Sequence, residues 1–203
     1  LTETNGYGPG NTGPDYMAKP SSTGRVVPIM GVKIVDPNGS EQPNGEVGEV
    51  CLSGPMLIRG YWNRPEATAE SIRDGWLHTG DLGYLDDQGF LYVVDRIKDM
   101  VLRGGENVYC SEVEAAIFEH KDIHEVAVFG LPHERLGEEV VAALQPTLGK
   151  TIDIDELTAF LAERIAPFKI PSQWFVRDEP LPRGATGKIL KREIRDLVLD
   201  GKF

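Results

Sequence analysis

Three short segments set charged side chains beside glycine, where a polar group can come close to a bound molecule. Gly184-Ala185-Thr186-Gly187-Lys188, led in by Leu181-Pro182-Arg183, reads as a Gly-flanked loop. From it one flexible cation can reach into a neighbouring site. Trp76-Leu77-His78-Thr79-Gly80-Asp81 reads as a second loop and ends on a carboxylate. The two oxygens of a carboxylate match the spacing of a cis-diol, and the preceding glycine lets the backbone approach a sugar. A third loop runs from Asp95-Arg96-Ile97-Lys98-Asp99 to Arg103-Gly104-Gly105-Glu106-Asn107. Taken singly, the three read as a solvated lysine, a polar turn and a charged linker. Their order along the chain is what points to chemistry.

In this order and spacing the segments resemble the later core motifs of the adenylate-forming enzymes, and of acyl-CoA synthetases in particular. The resemblance covers essentially the whole chain. Leu1-Thr2-Glu3 looks like the tail of the family's Tyr-Gly-x-Thr-Glu motif. That implies a contact from Thr2 to the nucleotide α-phosphate and a share in holding Mg2+ for Glu3. Hard oxygen ligands suit that ion, which keeps most of its waters and bridges phosphates. Gly48-Glu49-Val50, with Arg59-Gly60-Tyr61 and Pro65-Glu66-Ala67-Thr68, is similar to the next motif, read here as structural support: a strand, a turn and a capped helix. Thr79-Gly80-Asp81 matches the family's Thr-Gly-Asp, which implies that Asp81 accepts both ribose hydroxyls. Arg96 is then implied to contact ribose or phosphate, and Lys98 to occupy a hinge position where many relatives carry Asp. Arg103-Gly104-Gly105-Glu106-Asn107-Val108-Tyr109 is close to the Gly-Gly-Glu-Asn-x-Tyr of acyl-CoA ligases, with Cys110 where proline is frequent. Gly104 and Gly105 would leave room for the pantetheine arm of coenzyme A. Lys188 corresponds to the family's terminal catalytic lysine, bridging the attacking carboxylate and the α-phosphate, where charge concentrates in the transition state.

The resemblance implies an ATP-dependent carboxylate–CoA ligase that uses ATP, Mg2+ and coenzyme A. A carboxylate attacks the α-phosphate to give acyl-adenylate and pyrophosphate, and a mobile domain then swings about Lys98 for thioester formation. The acid is fatty or aryl, with medium or long fatty acids favoured by the resemblance. Two alternatives stay open. One is an adenylating relative with another acceptor, a carrier-protein phosphopantetheine or oxygen. The other is a non-catalytic binding fragment. Leu1-Thr2-Glu3 reads as the middle of a motif, so the chain is expected to be a piece of a longer one and inactive without its N-terminal part.

The elements that must position these residues change character partway. Residues 5–30 are rich in Gly and Pro and read as irregular. Val32 to Val35, Gly48 to Gly54, Leu82 to Leu85 and Phe90 to Val94 read as strands, the last two flanking an Asp86-Asp87-Gln88-Gly89 hairpin turn. Arg64-Pro65-Glu66 to Ile72 fits a short helix with proline in its first turn. Ser111-Glu112-Val113-Glu114 has the form of a capping box opening a helix. Val126 to Phe129, Val140 to Leu144 and Trp174 to Val176 read as strands. Asp153 caps a helix bearing Leu157, Phe160, Leu161 and Ile165, and Leu190 to Leu199 closes the chain as an amphipathic helix. The fold class is therefore α+β, and the resemblance implies a β-rich tail of a large adenylation domain over 1–95, a hinge at 96–99 and a mobile C-terminal α+β domain over 100–203.

Composition bounds the partners. The net charge of -11 argues against a nucleic-acid or anionic-membrane surface, whose binding needs basic patches. No apolar run is long enough to span a bilayer. Cys51 and Cys110 read as free thiols, and a cytoplasmic location is the expectation. Gly8-Pro9-Gly10-Asn11-Thr12-Gly13 fits a dinucleotide-binding spacing but lacks the flanking strand and helix. His120 and His124 have no third ligand in view, and Asn38-Gly39-Ser40 is a glycosylation sequon without a secretory context.

Overall fold

Alternating apolar residues build the first sheet. The computed structural model describes residues 1–203, which divide into two units, Leu1–Lys98 and Asp99–Phe203. The first contains α1 (Gly13–Ala18), β1 (Gly24–Arg25), β2 (Gly31–Val35), β3 (Gly48–Ser53), α2 (Pro65–Ser71), β4 (Ile72–Arg73), β5 (Trp76–Leu85) and β6 (Phe90–Arg96). Its strands form one antiparallel sheet in the order β1-β6-β5-β3-β2, with β4 paired to β5. Ile34, Val50, Leu52, Leu77 and Leu91 share one core with Met30 and Met56. Asp86 makes the β5–β6 turn, its Oδ1 accepting from the backbone N–H groups of Gln88 (2.9 Å) and Phe90 (3.0 Å). Pro65 opens α2 at its first turn, where a missing N–H costs nothing.

Two expectations for this unit need correction. Residues 76–81 are not a loop but the first half of the ten-residue strand β5. Leu77 is buried against the core, while Gly80, at φ 71°, stands inside the register irregularity between the Cys51–His78 and Glu49–Leu82 pairs. That glycine marks a bulge rather than a turn, which single-strand periodicity cannot distinguish. The 5–30 segment, read as irregular throughout, contains the six-residue helix α1 and the strand β1.

The second unit contains β7 (Val101–Arg103), β8 (Glu106–Val108), α3 (Cys110–Phe118), β9 (Ile123–His133), β10 (Gly137–Pro146), α4 (Ile154–Ala162), a single 3-10 turn at Pro167–Lys169, β11 (Gln173–Val176) and α5 (Lys191–Leu199). β10 is the spine. It pairs antiparallel with β9 along its length, parallel with β11 over Val141–Leu144, and with β7 at Gly137. Its near-continuous apolar run is explained by burial on both faces. Val140, Ala142 and Leu144 face the core built by Val113 and Ile117 of α3 and by Leu157 and Leu161 of α4. Val141 and Ala143 face Leu181 and Ile194 of α5. Leu157 and Leu161 are wholly buried, and each such side chain contributes about 1.5–3 kcal/mol.

The third loop of the sequence reading is also mostly strand. Gly104 and Gly105 form a two-residue turn between β7 and β8, with φ of 60° and 91°. Positive φ at both positions is the primed hairpin geometry that glycine makes accessible. The capping box at Ser111 is not realised. Tyr109 holds the N-cap position without a side-chain cap, and Ser111 lies inside α3. Asp153, in contrast, caps α4 through the N–H groups of Asp155 and Glu156.

Candidate nucleotide site and catalytic loop

Strand register brings two of the chemical segments of the first unit together. Asp81 on β5 and Arg96 on β6 are cross-strand partners. Arg96 Nε donates to Asp81 Oδ1 at 3.0 Å, and the Ile97 N–H donates to the Gly80 carbonyl at 2.9 Å. The arginine is half-exposed, so this pair adds at most about 1 kcal/mol of stability and exchanges readily for a ligand. An open groove of about 270 Å³ lies against Thr79, Gly80, Arg96, Ile97 and Lys98. A second, of about 230 Å³, is lined by Asp81 and Thr79 and by apolar groups that include Leu1, Tyr7 and Val93.

The Thr79-Gly80-Asp81 segment is fastened from beneath. The Thr79 hydroxyl donates to the Val50 carbonyl (2.8 Å) and accepts from the Asp81 N–H (3.1 Å). Glu49 Oε1 accepts from the Gly80 N–H at 3.1 Å, and its Oε2 lies 2.7 Å from His78 Nδ1. Arg73 stands 3.8 Å from the same carboxylate. Cys51, directly opposite His78, completes the layer at 3.4 Å from Nδ1. Burial, and then the Glu49 charge, push the Cys51 thiol up to about 11.

The remaining candidates of this unit are dispersed. Thr2 is exposed in the turn after Leu1. Glu3 is half-buried and engaged elsewhere, its Oε1 accepting from the Tyr61 hydroxyl at 3.0 Å. Its second oxygen takes no hydrogen bond within the chain. A hard carboxylate anchored on one oxygen fits an ion that keeps most of its water, so Glu3 suits Mg2+. Lys98 is exposed at the end of the unit, on the groove shared with Arg96.

In the second unit, Gly104 and Gly105 are exposed, and the Gly104 N–H is tied to the Leu136 carbonyl at 2.8 Å. Lys188 lies on a tight turn between the bridged residues Arg183 and Ile189. The Gly184 N–H donates to the Lys188 carbonyl and the Gly187 N–H to the Gly184 carbonyl, both at 2.9 Å. The Lys188 ammonium is exposed and makes no hydrogen bond or ion pair within the chain. The turn itself is clamped: Arg183 donates from Nη1 to the Gly187 carbonyl (2.5 Å) and from Nη2 to Glu125 Oε1 (2.6 Å). Glu125 Oε2 accepts from the Leu181 N–H at 2.9 Å. Burial raises the Glu125 pKa, but Arg183 and the Leu181 amide outweigh it and hold the carboxyl below its ordinary range.

Glu49, His78, Glu125 and Arg183 were not among the expected site residues. Glu49-x-Cys51 alternation with His78 two residues before Gly80 was a usable signal for the first pair. Nothing local in the sequence distinguishes Glu125 from any other strand carboxylate.

Residues 1–62 match the model of the AMP-binding enzyme family, and residues 112–188 that of the AMP-binding enzyme C-terminal domain. A feruloyl-CoA synthase from Amycolatopsis sp is 46% identical over 164 residues, covering 81% of this chain and 33% of that protein. A long-chain-fatty-acid–CoA ligase from Bacillus subtilis is 44% identical over 177 residues, covering 87% of this chain and 31% of that protein. The o-succinylbenzoate CoA synthetase of Bacillus subtilis, solved with its acyl-adenylate intermediate, superposes with a TM-score of 0.89 at 38% identity, covering 97% of this chain and 40% of that one. The same synthetase has also been solved with ATP and magnesium ion. The chain belongs to the adenylate-forming, AMP-binding enzyme family of ligases. It spans about a third of the length of the curated relatives it matches.

Proposed function

We propose that these residues are the C-terminal portion of an ATP-dependent carboxylate–CoA ligase. The observation that carries this reading is the cross-strand pairing of Asp81 with Arg96 at a groove that also holds Lys98. In the proposed reaction Asp81 releases Arg96 and accepts the two ribose hydroxyls, while Arg96 turns to ribose or phosphate oxygen. Thr2 contacts the α-phosphate. Glu3 helps to hold Mg2+, which neutralises phosphate charge. Lys188 bridges the carboxylate nucleophile and the α-phosphate as the phosphorus–oxygen bond to pyrophosphate breaks. Its unpaired ammonium supports this role, because no internal contact has to be broken before it acts.

For the second step, rotation about Lys98 withdraws Lys188 and presents Gly104-Gly105 to the pantetheine arm. The thiol attacks the acyl carbonyl and AMP leaves. Excluding water protects the mixed anhydride between the two steps. The two domains of this proposal are residues 1–95 and 100–203, joined by a hinge at 96–99, and the compartment is the cytoplasm. The chain covers about a third of its relatives, and we propose that it does not turn over without the remaining two thirds.

AMP release tests this reading in the full-length polypeptide, given ATP, Mg2+ and a panel of fatty and aryl acids, with and without CoA. Release that requires both an acid and CoA is expected. AMP release indifferent to CoA overturns the acceptor, and carboxylate-dependent pyrophosphate exchange by the 203-residue chain alone overturns its proposed inactivity.

A further inference from the structure

We infer that Glu49, Cys51 and His78 form a binding site for a divalent transition-metal ion of the Zn2+ type. Sheet geometry alone puts the three on one face. Residues two apart on a strand point the same way, which aligns Glu49 with Cys51 on β3. His78 on β5 is the cross-strand partner of Cys51. One ligand atom from each converges: all three lie within 4.8 Å of one another.

Glu49 is well supplied with donors, but the Cys51 thiol has only a shared contact. His78 Nδ1 faces both Glu49 Oε2 (2.7 Å) and Cys51 Sγ (3.4 Å). A proton on Nδ1 serves the carboxylate, and the ring then has no lone pair there for the thiol. A metal ion at the same place satisfies all three. Ligands bound at about 2.3 Å through sulfur and 2.0 Å through nitrogen lie about 3.5 Å apart around a tetrahedral ion. The Cys51–His78 separation is already close to that, and a small rotation of the Glu49 carboxylate opens its own to match. One thiolate, one imidazole and one carboxylate make a donor set suited to Zn2+ or Co2+ rather than to Mg2+ or Ca2+.

Charge and access agree. Binding replaces the thiol proton: the S–H bond breaks, a sulfur–metal bond forms, and one proton leaves to solvent. The imidazole proton moves from Nδ1 to Nε2, so no further charge changes. The bound thiolate and carboxylate then balance a divalent ion. In the free site burial and the Glu49 charge hold the proton on Cys51 and outweigh Lys33 and Arg73, so the ion itself must displace that proton. Cys51 is wholly buried, while the side chains of Glu49 and His78 retain 17% and 14% exposure, so an ion would enter from their side. The site is independent of the ligase reading and stands whether or not that reading holds.

Titration of the 203-residue chain with Co2+ alone tests this. One equivalent per chain should bind, with the charge-transfer absorption of a cobalt–thiolate bond, and added Zn2+ should displace it. Cys51→Ser should abolish the absorption, while Cys110→Ser, whose thiol lies in the other unit, should keep it. His78→Gln should weaken binding by roughly tenfold or more, since even the loss of groups behind a ligand costs that much. Three results overturn the inference: no saturable absorption, absorption that survives Cys51→Ser, or absorption lost in Cys110→Ser. Circular dichroism checks the fold of each variant. If Cys51→Ser does not fold, unchanged Co2+ affinity in His78→Gln overturns the inference by itself.

Discussion

The Asp81–Arg96 site and the Lys188 turn hold their charged groups in opposite ways. Asp81 and Arg96 sit inside a sheet, fixed by strand register and by the layer of Glu49, His78 and Thr79 beneath them. Lys188 stands on a turn of a few residues, fastened only at its base by Arg183 and Glu125. A group that grips the same part of a ligand throughout a reaction benefits from rigid placement. A group needed at one step and removed at the next benefits from an exposed turn on a body that can move. The Gly104-Gly105 turn is exposed like that of Lys188, its hairpin geometry set by positive φ at both residues.

This contrast can be broken at several points, all in the full-length polypeptide. Lys188→Ala should lower the rate of adenylation by roughly 10²–10³, the typical loss for one donor aimed at developing charge. AMP formation under single-turnover conditions measures it, and fold and nucleotide affinity should be unchanged. Asp81→Asn should raise the KM for ATP by roughly tenfold or more, since a hydrogen bond to a charged group is worth about 1.5–3 kcal/mol. A change in kcat alone would argue that Asp81 does not grip the nucleotide.

Smaller effects test the supports. Gly105→Val should destabilise the β7–β8 turn by about 1–2 kcal/mol, because a β-branched residue is forced to positive φ. Thermal unfolding reads the loss, and thioester formation should fall more than adenylation. The smallest effect concerns Glu125. Its carboxyl titrates below its unfolded value, so its contribution to stability is fully present above the ordinary carboxylate pKa. It is lost as pH falls through the folded value. Glu125→Gln should therefore cost about 1 kcal/mol or less near neutrality and flatten the acid end of the stability profile. Loss that persists unchanged into acid would show that the clamp is not ionic.

Much of this was legible in the residues. The α+β class, the change of rhythm near residue 100 and most strands followed from period-two and period-3.6 patterns. Asp153 was readable as a cap because a side-chain oxygen there meets the first free N–H groups. Gly80 was misread because glycine at positive φ serves turns and bulges alike, and only pairing on both sides of β5 separates them. Ser111 was misread because the chain enters α3 two residues earlier, so the hydroxyl falls inside the helix. The pairing of Asp81 with Arg96, and the reach of Glu125 to Arg183 across 58 residues, depend on register and tertiary packing. No local pattern encodes those.

The most direct test of the account separates the two half-reactions. Lys188→Ala and Asp81→Asn are each assayed for adenylate formation from acid and ATP, and for thioester formation from supplied acyl-adenylate and CoA. The account predicts that Lys188→Ala loses the first and keeps the second, while Asp81→Asn weakens nucleotide binding in both. Equal loss of the two half-reactions in Lys188→Ala would contradict it.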